Sequence, residues 1–163
     1  MTAFENVTFG PIAPADIASM TGFELMRAMI EKRVPAPTIA RALNFWLADV
    51  GEGTAVFEAE PTADVLNPLG TVHGGLLLTI IDSACGCACH TTLPAGVGYA
   101  SIETKVNFSR PLFPDSGLIR CAGRVVTAGR TIVTADAIAT DARGRVVGHG
   151  TSTLLVFQPK DAA

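Results

Sequence analysis

The chain has 163 residues, a net charge of −3 at pH 7 and a sequence pI near 5.5. This length suits one domain with a substantial core, and the scattered Lys and Arg residues form neither a nucleic-acid-binding patch nor a polybasic membrane segment. A hydrophobic fraction of 48% and a mean hydropathy of +0.39 are high, yet the longest apolar stretches fall short of the roughly 20 residues that span a bilayer. The surplus apolar surface therefore points to a subunit interface or an apolar ligand.

The first part of the chain predicts helices. Residues 15–33 place apolar side chains at helical intervals and end in Lys32 and Arg33, which suit the negative end of a helix dipole. One amphipathic helix is expected there. Pro35 and Pro37 break it, and a short helix is expected in the stretch PTIARALN.

Strands dominate the rest of the chain. The stretch FWLADVGEGTAVFEAEP predicts a hairpin that turns at Gly51, Glu52 and Gly53. A long helix is expected from near His73 to about His90. Four further strands are predicted in the segments VGYASIETKVNFSRP, SGLIRCAGRVVTA, RTIVTADAIATDA and RVVGHGTSTLLVF.

This order of elements predicts an α+β fold in which an antiparallel sheet of about six strands wraps one long helix. Residues 1–43 would form an N-terminal helical extension, and residues 44–163 the main domain. The opening stretch MTAFENVTFG lacks the basic and apolar regions of a secretory signal peptide. A cytoplasmic protein is therefore expected, with its four cysteines as reduced thiols.

The long helix carries a carboxylate in an unexpected place. Asp82 lies within the apolar run LLLTIIDSACGC, nine residues after His73, which is followed by Gly74 and Gly75. Aspartate is a poor residue for the middle of a helix and is almost never fully buried without a partner. The sequence thus predicts that a specific contact or a function holds Asp82 there.

The segments NPLGTVHGGLLLTIID and SIETKVNFSRP together resemble the hotdog-fold acyl-CoA thioesterases of the phenylacetate-degradation (PaaI-like) type, over roughly residues 44–157. In that family an Asn precedes the HGG turn, an acidic residue follows the His by nine positions, and a hydroxyl residue lies on the next strand. The matching positions here are Asn67, His73, Gly74, Gly75, Asp82 and Ser101. The resemblance implies a hotdog fold and active sites shared between subunits.

The chemistry of these positions can be argued from the residues. The first N–H groups of a helix lack intrahelical partners, so those of Gly74 and Gly75 can form an oxyanion hole for a thioester carbonyl. Asp82 can attack the carbonyl carbon or activate the attacking water, and both roles stay open. Together with this chemistry, the resemblance implies acyl-CoA hydrolysis without a metal or organic cofactor.

The spacing along the helix also bears on the assembly. At 1.5 Å per residue, Gly74 and Asp82 are about 12 Å apart along one helix, too far to act on one carbon. Two antiparallel copies of the helix, side by side, would bring the two residues together. A homodimer with two shared sites is therefore expected, and pairing of dimers into a homotetramer stays open.

The other candidates have supporting roles or simpler explanations. His73 is expected to orient the loop or the carbonyl rather than to transfer a proton. Asn67 either forms a turn or positions water or substrate. Ser101 is either a partner of Asp82 or of the attacking water, or an ordinary strand serine. Arg110, which closes the NFSRP strand, is a candidate for binding the phosphates of coenzyme A.

The motif CGCACH at the end of the helix invites a metal hypothesis, which its spacing disfavours. A continuous helix turns Cys87 away from Cys85 and Cys89, and the spacing matches neither structural zinc nor c-type haem. Small residues that allow close helix packing explain the motif better.

Several questions stay open on the sequence alone. A noncatalytic acyl-CoA-binding or sensing module on the same fold is the second candidate function, and a hotdog dehydratase is a third that lacks the expected catalytic motif. The acyl group could be aryl, medium or long. The N-terminal helix, with Phe23, Met26 and Met29, either covers an acyl tunnel or caps the core.

Overall fold

The structure is a computed structural model that describes residues 4–157. Its strands are β1 (Phe45–Gly51), β2 (Thr54–Ala59), β3 (Gly98–Phe108), β4 (Ile119–Ala128), β5 (Ile132–Thr140) and β6 (Val146–Phe157). Its helices are α1 (Pro14–Ser19), α2 (Gly22–Ile30), α3 (Thr38–Ala42) and α4 (Gly74–His90). Six antiparallel strands form one sheet in the order β1-β2-β4-β5-β6-β3, and α4 packs against it. The predicted hotdog architecture is confirmed.

The sheet holds α4 through a closely packed apolar face. Leu76, Leu77, Ile80 and Ile81 are buried there. A Cβ atom on Gly123 of β4 would lie 2.5 Å from the carbonyl oxygen of Ala84, so only glycine lets this strand approach so closely. Burial of this face accounts for the apolar run in the sequence.

One stripe of α4 is left uncovered by the sheet. Leu78 is 42% exposed, although it is a large apolar residue in the middle of the helix. Partly exposed residues at helical spacing continue the stripe, namely Gly75, Thr79, Asp82, Ser83 and Cys87. This uncovered stripe contains the carboxylate that the sequence singled out.

The N-terminal region differs from the single helix expected over residues 15–33. It contains two helices, because Thr21 begins α2 with a capping box: its Oγ1 accepts from the Glu24 N–H at 3.3 Å, and the Glu24 carboxylate accepts from the Thr21 N–H at 2.8 Å. The helix then ends at Ile30, and Lys32 adopts a left-handed conformation with φ of 60°. A local capping signal has overridden the continuous periodicity.

The helical extension packs on the end of α4. The Gly22 N–H donates to the carbonyl oxygen of Leu93 at 3.0 Å. A Cβ atom on Gly22 would lie 1.8 Å from the carbonyl oxygen of His90, so the start of α2 meets the backbone of α4 directly. The domain boundary between residues 43 and 44 stays a prediction.

The cysteines follow the expected helical rotation. Cys85 and Cys89 are buried free thiols, Cys87 is a partly exposed one, and Cys121 is buried on β4. Among residues 4–157, no group of three His, Cys, Asp or Glu side chains could hold a metal ion. In the same range, no helix is both long and apolar enough to cross a membrane.

Candidate active site

Asp82 is held by a hydroxyl group on the neighbouring strand. Thr104 Oγ1 on β3 donates to Asp82 Oδ1 at 2.7 Å. Thr104 Oγ1 also lies 2.9 Å from Ser152 Oγ, which is 3.0 Å from the carbonyl oxygen of Glu103. Ser152 is 1% exposed, so this hydroxyl chain is anchored in the core. The second oxygen of Asp82 accepts no hydrogen bond from residues 4–157 and is left for a ligand.

The sequence offered Ser101 as a partner of Asp82 or of the attacking water, or as an ordinary strand serine, and the structure places Thr104 beside Asp82. The pairing of β3 with β6 shifts between Ser101 and Glu103, which leaves Ile102 out of the ladder. This extra residue changes which side chains face α4. Ser101 is exposed, and its suggested role beside the attacking water stays a prediction. A bulge of this kind leaves no clear signal in one sequence.

The start of α4 is capped by His73. Its Nδ1 accepts a hydrogen bond from the Gly75 N–H at 2.9 Å. The sequence predicted that both glycine N–H groups would face the substrate, but this bond engages the one on Gly75. The Gly74 N–H donates to no group within the part of the chain that the structure describes. Gly74 is therefore the remaining oxyanion-hole candidate, and the cap fits a supporting role for His73.

Asn67 organises the loop that leads into the helix. Its Oδ1 accepts from the N–H groups of Leu69 at 2.9 Å and Thr71 at 3.2 Å, and its Nδ2 donates to Thr71 Oγ1 at 2.6 Å. Both ends of the side chain are thus engaged inside the turn. The geometry supports turn formation, and a direct contact of Asn67 with water or substrate stays a prediction.

A cavity of about 400 Å³ lies at the start of α4. Gly74 and Arg110 line it together with Val72, Leu77, Phe108 and Leu112. A Cβ atom on Gly74 would lie 3.0 Å from the Phe108 ring, so the glycine allows an aromatic side chain to sit against the helix start. Arg110 is exposed and forms no ion pair with another described residue. The unpaired N–H group of Gly74 and the guanidinium of Arg110 therefore border the same cavity.

A second cavity, of about 480 Å³, lies beside Asp82. One wall consists of Asp82, Ser83 and Cys87 of α4 with Tyr99 of β3. The other walls are mainly apolar and include Met29, Ile30, Phe45, Trp46, Leu47 and Phe57. Of the N-terminal apolar side chains noted in the sequence, Met29 reaches this cavity, Met26 is buried in the core, and Phe23 is exposed.

The ionisable groups next to Asp82 in this wall, Cys87 and Tyr99, favour their neutral forms. Burial raises the pKa of the Cys87 thiol to about 12, against a smaller lowering by its hydrogen bond with Tyr99. Burial likewise raises the pKa of Tyr99 well above its usual value, and the nearby charge of Asp82 adds to both shifts. Both groups are therefore neutral near pH 7, and Cys87 is a poor nucleophile.

Three of the predicted site residues thus line two separate cavities of one chain. Gly74 and Arg110 line the first, and Asp82 lines the second. The separation of eight positions between Gly74 and Asp82 corresponds to about 12 Å of helix. One chain does not bring the two halves together.

Comparison with known proteins identifies the family. The model of the Thioesterase superfamily matches residues 69–148. A protein of Halobacterium salinarum that carries the name "Putative esterase" is 35% identical over 150 residues, which cover 85% of this chain and 99% of that protein. The chain belongs to the thioesterase superfamily.

Solved structures agree with this assignment. The PaaI protein from the phenylacetic acid degradation operon of Escherichia coli superposes with a TM-score of 0.72 at 23% identity, over 86% of this chain and 96% of that one. A protein of Streptococcus pneumoniae described as a hypothetical thioesterase, solved with coenzyme A, gives a TM-score of 0.64 at 25% identity, over 71% and 90% of the two chains. The shared hotdog fold extends over most of each chain.

Proposed function

We propose that the protein is an acyl-CoA thioesterase, which hydrolyses an acyl-CoA to a free acid and coenzyme A. The observation that carries this proposal is Asp82, held by Thr104 at 2.7 Å and facing an apolar cavity with one carboxylate oxygen free. A carboxylate with such a setting can act as a base or a nucleophile. Membership of the thioesterase superfamily supports the reaction, and the S. pneumoniae relative with coenzyme A supports the substrate class.

The proposed active site is shared by two subunits of a homodimer. The uncovered stripe of α4 offers a helix face, and the adjacent sheet edge is β3, an 11-residue strand that pairs on one side only. Ile102 and Phe108 on this edge are 58% and 59% exposed. A long edge strand with exposed apolar residues favours pairing with another copy. Antiparallel α4 helices would then place Gly74 of one subunit near Asp82 of the other.

Each residue then has a distinct task in hydrolysis. The Gly74 N–H donates to the thioester oxygen as negative charge develops on it. Arg110 meets the phosphates of coenzyme A at the rim of the same cavity. If Asp82 acts as a base, it takes a proton from water, the water oxygen bonds to the carbonyl carbon, and the carbon–sulfur bond breaks. The thiolate of coenzyme A leaves and receives the proton that Asp82 took from the water.

A noncatalytic acyl-CoA-binding module is the alternative. The two cavities suit binding as well as hydrolysis, whereas the free oxygen of Asp82 favours the enzyme. The test is release of thiol from a series of acyl-CoAs, followed with a chromogenic thiol reagent. Thiol release that Asp82→Asn abolishes supports the proposal. Saturable acyl-CoA binding without thiol release, in wild-type protein, favours the module.

A further inference from the structure

The cavity beside Asp82 gathers an unusual share of the aromatic residues. The chain has eight Phe, one Trp and one Tyr, and five of these ten line this one cavity. The five are Phe4, Phe45, Trp46, Phe57 and Tyr99. Two charged side chains in the wall are already engaged, since Lys32 Nζ donates to the carbonyl oxygen of Glu5 and Glu58 pairs with Arg120 at 2.8 Å. The cavity therefore suits an apolar group.

Part of the wall of this cavity comes from residues 4–10, which we term the N-terminal segment. Phe4 and Val7 of this segment line the cavity. The Phe4 ring packs edge-on against Phe9, with centroids 5.3 Å apart, and against Trp46 of β1, with centroids 6.1 Å apart. Phe4 of this segment and Trp46 of β1 together form an aromatic wall of the cavity.

The N-terminal segment is attached to the fold by several bonds. The Ala36 N–H donates to the carbonyl oxygen of Thr8 at 2.9 Å, and the Gly10 N–H donates to the carbonyl oxygen of Ala36 at 3.0 Å. The guanidinium of Arg41 lies 5.2 Å from the centroid of the Phe9 ring. The segment is thus a fixed part of the cavity wall, even though it precedes the first helix.

We propose that this N-terminal segment determines which acyl groups the protein accepts, with Phe4 and Trp46 as the residues that limit acyl length. The inference rests on the proposed function, because it places the reacting carbonyl at Asp82. From there the acyl group would extend away from α4 into the apolar cavity and end against the aromatic wall. An acyl group that reaches this wall without exceeding it buries the most surface, and a longer group must displace it.

The first test compares the activities of variants over acyl-CoAs of increasing chain length. Phe4→Ala and Trp46→Ala each enlarge the cavity, so kcat/KM should rise for acyl chains beyond the wild-type optimum, by roughly fourfold for each additional buried CH₂. Val7→Phe should have the opposite effect and favour shorter chains. The matched control is Phe23→Ala, which removes an exposed aromatic of the same extension outside the cavity and should leave the profile unchanged. Chain-length profiles that coincide in all variants would overturn the proposal.

The second test does not depend on hydrolysis. Trp46 is the only tryptophan of the chain, so its fluorescence reports on the cavity directly. Carboxylic acids with a terminal bromine atom should quench it in a saturable way, most strongly at the chain length that the enzyme prefers. In Phe4→Ala, the chain length at which quenching is strongest should increase. In Phe23→Ala, it should be the same as in the wild type.

The two tests separate this inference from the proposed function. Thiol release with no quenching and no change of profile would reject the segment as a specificity determinant and leave the thioesterase intact. Length-dependent quenching without thiol release from any acyl-CoA would support the acyl cavity and reject hydrolysis. If Trp46→Ala fails to fold, as judged by circular dichroism, Phe4→Ala and Val7→Phe decide the outcome.

Discussion

A mixed dimer of two inactive variants should regain activity, because the proposed site takes Gly74 from one subunit and Asp82 from the other. The first variant is Asp82→Asn, which keeps the size of the side chain and removes its charge and basicity. Loss of a general base typically lowers the rate by about 10²- to 10⁴-fold. The second variant is Gly74→Pro, which removes the free N–H. Proline is well tolerated at the first helical position, so α4 should still begin there.

The expected magnitudes follow from the geometry of the shared site. Loss of one oxyanion donor typically costs about 10²- to 10³-fold in kcat, so both parents should be nearly inactive. If equal amounts of two chains exchange freely, half of the dimers are mixed, and each mixed dimer has one intact site of two. The mixture should therefore approach about a quarter of wild-type activity per chain, far above either parent.

Two controls distinguish loss of the Gly74 N–H group from steric effects and from failure to form mixed dimers. Gly74→Ala keeps the N–H and adds a Cβ atom close to the Phe108 ring, as proline also does, so it isolates the steric part of the change. Activity is measured by thiol release, and native mass spectrometry confirms the mixed dimers. If those dimers are present and remain as inactive as their parents, or if Asp82→Asn turns over at a near-normal rate, the shared-site reasoning is wrong.

Four further predictions use other residues of the site. Thr104→Val should lower kcat by about 10- to 100-fold, since a hydrogen bond to a carboxylate is worth about 1.5–3 kcal/mol. Thr104→Ser keeps the hydroxyl group and should retain most of the wild-type rate. Equal losses in both variants would count against the hydrogen bond from Thr104 to Asp82. Arg110→Ala should raise KM for acyl-CoA more than it lowers kcat, whereas an unchanged KM would make Arg110 a structural charge. Cys87, with its pKa raised to about 12, should alkylate slowly at pH 7 and faster as pH rises, as followed by mass spectrometry; rapid alkylation at pH 7 would contradict the raised pKa of this partly exposed thiol. Light scattering at assay concentrations should show that the smallest active species is a dimer, and a fully active monomer would refute the shared site.

The helix and strand order could be predicted because it follows from hydrophobic periodicity. The apolar positions of α4 and the alternation in the strands depend on local sequence, and both appear in the structure where expected. The break between α1 and α2 also had a local signal, since Thr21 precedes Glu24 by three residues, the spacing of a capping box. The capping box starts a new helix there, although the apolar periodicity continues through the break.

The contacts within the site depended on features that one sequence does not display. The irregularity in β3 determines that Thr104, and not Ser101, reaches Asp82, and it arises from pairing with a strand almost 50 residues away. Which glycine N–H stays free depends on the orientation of the His73 ring. Residue types and spacing indicated a candidate site along α4, whereas partner strands and rotamers determined the hydrogen bonds around its residues.

The position of Asp82 then has a physical explanation that joins fold and proposed function. On the uncovered stripe of α4, its carboxylate avoids the apolar core, yet it borders a mainly apolar cavity and is fixed by Thr104. In a single chain, Leu78 on the same stripe remains exposed to solvent, and β3 has no strand paired along its outer edge. Pairing of two chains would cover these surfaces and bring a helix N-terminus to each carboxylate. The surface that favours association is thus also the surface on which the proposed chemistry depends, so association and activity should be lost together.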